Sequence, residues 1–427
     1  MRKDKKKLRE LGKDLLIAAL VVSALLLGRA SGILGSLLPD GVTGIFTGLG
    51  GSTPGETTES GAVTAAAVPF AAAVTGSVGM RYGLTYGEER VAELYGRFSA
   101  ALGEALGSSG TPEAITEAQW RDALDGPGVY FDFLYEQPLS VLAVWLGTEI
   151  TGGASSHTAR RICLAPEGDG LTLYYLRERD YSFYRCETAL SASAFAQWLE
   201  AYTPNGAAFA WELSDDESLD PYALLETGLL TLPVVTASNP CRETVSAADL
   251  QALFGFTVAL SYAESDGTVV YVEGDATLRV SPAGTVSYRC AEGGLGLGPE
   301  GMSTQAAVEA ARALCQRGPG SGSGAGSLGL SGVRYDQATE AYIICFDYAV
   351  DGIPVVLPDG PAVELTIAGG TLREAVMRFR CYTPEEETCT PLPAEQALAA
   401  VCAKGGGEPL LAYVDGQGAV ELQWLAA

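Results

Sequence analysis

Residues 256–290 have the sequence FTVALSYAESDGTVVYVEGDATLRVSPAGTVSYRC, and this stretch decides the fold. Asp266-Gly267 separates two runs of β-branched and aromatic residues, and such a dipeptide is strongly favoured in hairpin turns. Pro282-Ala283-Gly284 gives a second turn signal between two further runs. The stretch therefore predicts four short antiparallel strands, at 256–263, 268–273, 278–281 and 285–290.

The same order of signals occurs twice in the C-terminal half. A helical pattern at 303–315, with a Ser start signal, follows the four strands. About 85–91 residues further on come strand patterns at 342–348, 353–357, 363–367 and 372–382, with Asp351-Gly352 at a turn, and then a helical pattern at 393–403. Tyr262 aligns with Tyr348 in this comparison. The pattern predicts two similar antiparallel hairpin-plus-helix domains.

The segment before this pair mixes strand and helix patterns. Helical spacing at 88–106, a strand-like run at 128–135 and three further strands between 160 and 187 predict an α+β domain. A Gly/Ser-rich run, GPGSGSGAGSLGLSG, occupies 318–332 and predicts a linker. The whole chain is thus expected to be α+β, with domains at 66–212, 213–317 and 333–427, and the linker between the last two.

Charge is divided sharply along the chain. Residues 1–14 carry seven Lys or Arg and three acidic residues, whereas the remainder carries 20 basic and 49 acidic residues. Binding to nucleic acid requires basic groups that neutralise phosphates. A strongly acidic chain is therefore not expected to bind nucleic acid.

The basic segment 1–14 precedes an apolar stretch at 15–38, in which Arg29 is the only charged residue. The apolar runs on either side of Arg29, at 15–28 and 30–38, are together long enough to cross a bilayer. A cleaved signal peptide is the alternative, but no clean A-x-A site follows. The pattern favours an uncleaved single-pass anchor in the cell membrane, with the N-terminus in the cytoplasm, the bulk outside, and a Gly/Ser/Thr-rich tether at 39–65.

Nine cysteines would then lie in a compartment where disulfides form. Their number is odd and no C-x-x-C occurs, so neither a complete set of intramolecular bridges nor a zinc knuckle is predicted. Most of them are flanked by apolar residues. Disulfides and buried free thiols both remain open from the sequence.

Residues able to carry chemistry are few. His157 is the only histidine, which argues against Ser-His-Asp and multi-histidine metal sites. Residues 296–301 match G-x-G-x-x-G, but they follow predicted hairpin strands and not a βαβ unit, so a plain loop is favoured. Lys404, the only lysine after Lys13, ends a helical pattern, where a cation stabilises the carbonyl ends. The sequence predicts no enzyme activity, no metal and no cofactor.

Aromatic residues are the notable side chains of the predicted strands. Tyr262, Tyr271 and Tyr348 are candidates for a groove that holds a peptide or partner protein. The alternative, which the alternation of strand residues favours, is that each one packs in the core or against a neighbouring strand.

Four segments carry a family resemblance: FGF at 254–256, DGTVVYVE at 266–273, LRVSPAGTVSY at 278–288 and YAVDGIPV at 348–355. With the basic end, one membrane helix and an α+β domain before two hairpin-plus-helix domains, the chain resembles the YycH/YycI family. These are accessory regulators of the cell-wall two-component system of Gram-positive bacteria. The hairpins resemble the PepSY-like ones of YycI, and the length is closer to YycH.

The resemblance implies a non-enzymatic, membrane-anchored regulator that binds a sensor histidine kinase, with a paralogous accessory protein as a further partner. The apolar helix is part of the implied contact, which makes Leu15, Leu16, Val21, Leu25 and Leu27 the candidate partner-binding residues. An anchored binding or inhibitor module for a peptide, a protease or a wall fragment is the alternative function.

Overall fold

The computed structural model describes residues 66–416 and 419–427. The first set of strands comprises β1 (Ala71–Thr75), β2 (Arg81–Leu84), β3 (Glu113–Ile115), β4 (Gly128–Pro138), β5 (Thr158–Glu167), β6 (Gly170–Arg177), β7 (Ser182–Ser191), β8 (Ala208–Phe209), β9 (Leu224–Leu225) and β10 (Leu232–Ser238). The second comprises β11 (Leu260–Ala263), β12 (Val269–Glu273), β13 (Ala276–Val280), β14 (Thr285–Cys290), β15 (Leu295–Gly296), β16 (Gly326–Asp336), β17 (Ala341–Val350), β18 (Ile353–Val356), β19 (Val363–Ala368), β20 (Thr371–Arg378), β21 (Cys381–Cys389), β22 (Pro409–Asp415) and β23 (Val420–Ala426). The α-helices are α1 (Glu88–Gly96), α2 (Ser99–Gly107), α3 (Glu117–Asp125), α4 (Leu139–Trp145), α5 (Ala192–Leu199), α6 (Ala210–Leu213), α7 (Pro240–Glu243), α8 (Ala247–Leu253), α9 (Thr304–Arg317) and α10 (Ala394–Ala403).

Seven antiparallel strands form the N-terminal sheet, in the order β2-β1-β4-β5-β6-β7-β3. Helices α1, α2, α4 and α5 bury residues such as Leu102 and Leu142 in a core with Phe131 and Ile162. Trp120 of α3 lies in a separate buried cluster with Tyr130 of β4. Because both faces of its central strands are covered, these strands are apolar along most of their length.

A second sheet of twelve strands runs in the order β11-β12-β13-β14-β20-β19-β17-β18-β22-β23, with β15 on β20 and β16 on β17. Helix α9 covers one face, where Leu278, Ala375 and Leu314 are buried in one cluster. The opposite face carries exposed residues such as Arg289 and Glu374. The mixed α+β class with antiparallel sheets is confirmed.

The four predicted strands form as an antiparallel meander, β11 to β14. Gly267 has φ 87°, and Asp351 and Gly352 have φ 50° and 73°. These values lie in the left-handed region that tight hairpin turns require and that Gly and Asp tolerate. Turn chemistry therefore located both hairpins correctly.

Two expectations about the C-terminal half differ from the structure. The run 318–332 does not act as a linker, because most of β16 lies within it and β16 pairs along the length of β17. The two predicted hairpin units also differ in strand pairing: β12 has β11 on one edge and β13 on the other, whereas β17 has β16 along one edge and both β19 and β18 along the other. β18 pairs antiparallel with β17 only at Ile353 and Pro354, and its next two residues, Val355 and Val356, pair in parallel with β22.

The two units also share a sheet, because β14 pairs antiparallel with β20. The predicted helix at 88–106 is divided into α1 and α2, with Phe98 at the break fully buried. All nine cysteines are free thiols, either buried or half-buried. The helices of the described residues include none that is long and apolar enough to span a bilayer. The predicted basic end 1–14, anchor 15–38 and tether 39–65 lie outside the described residues.

Candidate functional site

The three candidate groove tyrosines do not meet. Tyr262 is 55% exposed and stands opposite Val270, which is buried. Tyr271 points to the other face, where it is half-buried and stands opposite buried Leu278. Tyr348 is 1% exposed and its hydroxyl donates to the Arg378 carbonyl at 3.0 Å. Tyr348 is therefore a core residue, and of the three only Tyr262 is largely exposed to solvent.

The other residues considered from the sequence have structural roles. His157 Nδ1 lies 2.7 Å from the Tyr175 hydroxyl, and Lys404 is the C-cap of α10. In the 296–301 loop, the Gly298 N–H donates to the Gly370 carbonyl at 3.0 Å, so this loop packs against another loop. No group of three or more metal-ligating side chains occurs within the described part of the chain. The candidate anchor residues Leu15, Leu16, Val21, Leu25 and Leu27 lie outside it.

A buried ion cluster joins the N-terminal sheet to the last strands of the chain. Arg160 of β5 donates from Nε to Asp132 Oδ1 at 2.7 Å and from Nη2 to Asp132 Oδ2 at 2.9 Å. The same guanidinium contacts the carboxylate of Glu408, which precedes β22. Neighbouring Arg161, fully buried, lies 2.8 Å from Asp220 and 3.1 Å from Glu178. An ion pair thus joins Arg160 and Glu408, which are 248 positions apart in the sequence.

The cluster holds four carboxylates and two guanidinium groups. Burial and the two arginines shift the pKa values of two of these carboxylates, Asp132 and Glu178. Burial alone would raise the pKa of Asp132, but Arg160 and Arg161 outweigh it and lower that pKa below its ordinary value. Burial raises the pKa of Glu178 to about 7, although both arginines act in the opposite direction. The pKa of Glu178 therefore lies near neutral pH.

A bulge in β4 lies directly beside the cluster. The pairing of β4 with β5 shifts register between Asp132 and Gln137. Within the bulge Leu134 has φ 66°, and its N–H donates to Asp132 Oδ1 at 2.7 Å. A left-handed conformation is unfavourable for leucine, so the Asp132 carboxylate stabilises a strained backbone. Bulges re-aim the side chains that follow them.

The bulge forms one wall of a cavity of about 190 Å³ between the two sheets. Its other walls come from the segment that leads into β1, from α1 and from the β16–β17 hairpin. Apolar side chains predominate, and Glu88, Gln137, Arg312 and Asp347 are the charged or amide-bearing residues among those that line it. The cavity is thus a mostly apolar site with a few polar groups, as ligand sites commonly are.

Sequence reasoning missed both the cluster and the cavity. The available signal was charge inside apolar strands: Asp132 lies between Phe131 and Phe133, and Arg160-Arg161 precede Ile162. Buried charges are rare unless they are paired. The pairing could be suspected from these positions, but no sequence pattern pointed to Glu408 as the partner.

The edge of the large sheet is a second surface feature. Among the described residues, β11 pairs only with β12. Leu260 and Tyr262 of β11 are 78% and 55% exposed and lie two positions apart, so they project to one face of the sheet. Val258, just before β11, is 82% exposed. An edge strand with unpaired backbone groups and apolar side chains can accept another strand.

Comparison with known proteins gives the fold. No protein-family model and no curated protein matches the chain. Among solved structures, it is similar to the crystal structure of YycH from Bacillus subtilis, with a TM-score of 0.55 and 12% sequence identity. The match covers 85% of this chain and 94% of that chain. The fold is YycH-like, which confirms this part of the resemblance, whereas the likeness to YycI and the PepSY-like hairpins remain predictions.

Proposed function

We propose that this chain is a membrane-anchored, extracytoplasmic, non-enzymatic regulator that binds a sensor histidine kinase. By binding one signalling state more tightly than the other, it would shift the balance between kinase and phosphatase activity in signalling linked to the cell wall. The observation that carries the proposal is the YycH-like fold over 85% of the chain. The family resemblance supplies the kinase as partner, and a paralogous accessory protein as a second one.

The charge division of the sequence supports the proposed location. A basic segment at 1–14 precedes the apolar stretch 15–38, and positive charge stays on the cytoplasmic side of a membrane helix. In this arrangement the protein crosses the membrane once and residues 39–427 are extracytoplasmic. Leu15, Leu16, Val21, Leu25 and Leu27 would then contact the helices of the kinase.

The test is affinity co-purification of the full-length chain from its own membranes. A matched variant has residues 15–38 replaced by an unrelated membrane helix, which keeps the anchor and removes the specific contact. We expect a histidine kinase with the native chain and its loss with the swapped one. Retention of the kinase after the swap would place the contact outside the anchor, and absence of any kinase from both samples would refute the proposed function.

The free edge of β11 favours a second candidate function, an anchored binding or inhibitor module for an extended peptide, a protease or a wall fragment. Leu260 and Tyr262 would supply the apolar contact, and the β11 backbone would supply the hydrogen bonds. The variant Leu260→Asp separates the two functions. It should abolish capture of a peptide that adds to β11, whereas a kinase held only by the anchor should still co-purify.

A further inference from the structure

We propose that the cavity between the β4 bulge and the β16–β17 hairpin binds a small organic cation, with an ammonium group on a single ring or a short branched chain. This inference goes beyond the proposed function and does not depend on it. Three observations carry it: two lining carboxylates have no cationic partner, the lining arginine is already paired, and aromatic rings form much of the wall.

The first carboxylate belongs to Glu88, which is exposed and so lies where the cavity meets solvent. It forms no ion pair with a lysine or arginine of the described residues. The Glu88 N–H donates to Asp351 Oδ1 at 3.0 Å, so a further carboxylate lies beside it. Desolvation and the Asp351 charge both raise the pKa of Glu88, whereas an adjacent cation would lower it. An ammonium group on a ligand would supply the positive charge that this end of the cavity lacks.

The second carboxylate is that of Asp347, which is half-buried. It accepts the Ala362 N–H at 3.0 Å, and it too has no ion pair among the described residues. Burial and the Asp347 carboxylate raise the pKa of the Tyr135 hydroxyl, and Tyr135 is itself part of the lining. The negative charge of Asp347 therefore lies at the wall that the bulge forms. A partly buried charge is screened less by water, so it attracts a cationic ligand more strongly than an exposed one does.

One guanidinium group, that of Arg312, also lines the cavity, but a carboxylate already balances its charge. Arg312 Nη2 and Nε donate to Glu309 Oε2 at 2.6 Å and 3.0 Å. The Trp145 indole N–H donates to the other oxygen of Glu309, which fixes the orientation of this carboxylate. With Arg312 neutralised in this way, the lining keeps the two negative charges of Glu88 and Asp347. This balance favours a cation and opposes an anion.

Aromatic rings and size define the body of the ligand. The lining includes Phe70, Phe133, Trp145 and Phe346, and the faces of such rings attract cations as well as apolar groups. The volume of about 190 Å³ is similar to that of an engineered protein cavity, roughly 150 Å³, that binds benzene. A single ring or a short branched chain with one ammonium group fits this space, whereas a nucleotide or a sugar chain is too large.

Benzylammonium, benzyl alcohol and benzoate are the probes, since they share a ring and are cationic, neutral and anionic at neutral pH. The full-length chain is labelled with 5-fluorotryptophan, and each probe is titrated while the ¹⁹F resonance of Trp145, assigned with Trp145→Phe, is followed. We expect a saturable shift with benzylammonium at roughly tenfold lower concentration than with benzyl alcohol, the range of one charge-assisted hydrogen bond, and none with benzoate. The resonance of Trp120, which lies in a separate cluster, should not move.

Three variants locate the charge that is recognised. Asp347→Asn removes one charge and keeps an oxygen that can accept the Ala362 N–H, and Glu88→Gln removes the other at an exposed position. Each should reduce the preference for benzylammonium over benzyl alcohol by about twofold to fivefold. The matched control is Asp275→Asn, which removes an exposed carboxylate outside the lining and should leave the preference unchanged.

Four results would overturn the proposal. They are the absence of a saturable Trp145 shift with benzylammonium, equal or tighter binding of benzyl alcohol or benzoate, an unchanged preference in both Asp347→Asn and Glu88→Gln, and an effect of Asp275→Asn as large as theirs. The last result would mean that the probe responds to the net negative charge of the chain and not to the cavity.

Discussion

Replacing Arg160 by methionine tests whether the ion cluster holds the two sheets together. Methionine keeps most of the aliphatic stem and removes the guanidinium from Asp132 and Glu408, whose side chains are 3% and 11% exposed. Arg161 remains, but its closest approaches to these two carboxylates are 3.4 Å each. Removing one partner of a buried ion pair leaves an uncompensated charge and costs about 3–5 kcal/mol.

Calorimetric unfolding measures this loss. If the part of the chain at 66–427 unfolds as one unit, the entropy of unfolding per residue converts the loss into a fall in Tm of about 4–7 °C. The matched control is Arg177→Met, since Arg177 pairs with Asp180 at the surface, where an ion pair contributes about 0–1 kcal/mol. Adding Glu408→Gln to Arg160→Met should recover part of the loss, because it removes one unpaired carboxylate.

Equal falls in Tm for Arg160→Met and Arg177→Met would refute the reasoning. The result would mean that water or a local rearrangement compensates the buried carboxylates. A split of the single transition into two, in contrast, would show that the cluster couples the unfolding of the two sheets.

Three further predictions concern single side chains. Burial raises the pKa of Glu178 to about 7, above its unfolded value, so the folded state binds the extra proton and the free energy of unfolding falls as pH rises from about 4.5 to about 7. Urea unfolding between pH 4 and 8 should show this slope reduced in Glu178→Gln, and an unchanged slope would contradict it. Tyr348→Phe leaves the Arg378 carbonyl without its donor and should cost about 1–2 kcal/mol, whereas Tyr262→Phe should change the unfolding free energy by less than about 0.5 kcal/mol. Burial raises the pKa of Cys163 to about 12, so alkylation at pH 8, followed by mass spectrometry, should modify this thiol in urea but not in the native protein.

Sequence patterns located most individual elements of the C-terminal half. Asp266-Gly267 and Asp351-Gly352 identified two hairpins, since few residue pairs tolerate the backbone angles of a tight turn. The helix at Thr304–Arg317 was found from its Ser303 cap and its apolar spacing. These signals are local, because each depends only on residues a few positions apart.

Tertiary structure decided how the elements combine. The sequence did not predict the pairing of β14 with β20, because the side chains of one strand do not specify which distant strand it pairs with. It assigned the Gly/Ser-rich run 318–332 to a linker, whereas residues 326–332 of this run belong to β16, which pairs with β17. Tyr262 and Tyr348 aligned in sequence, yet one is exposed at an edge and the other is buried.

The candidate site is likewise a product of the tertiary structure. Composition and charge by themselves determined that the chain is acidic, has one histidine and begins with a basic segment before an apolar one, since these depend on residue counts and on order along the chain. Arg160 and Glu408, or Gln137 and Leu330, meet only because the two sheets pack together. Contacts between residues some 190 to 250 positions apart depend on the packing of whole sheets, which no local pattern encodes.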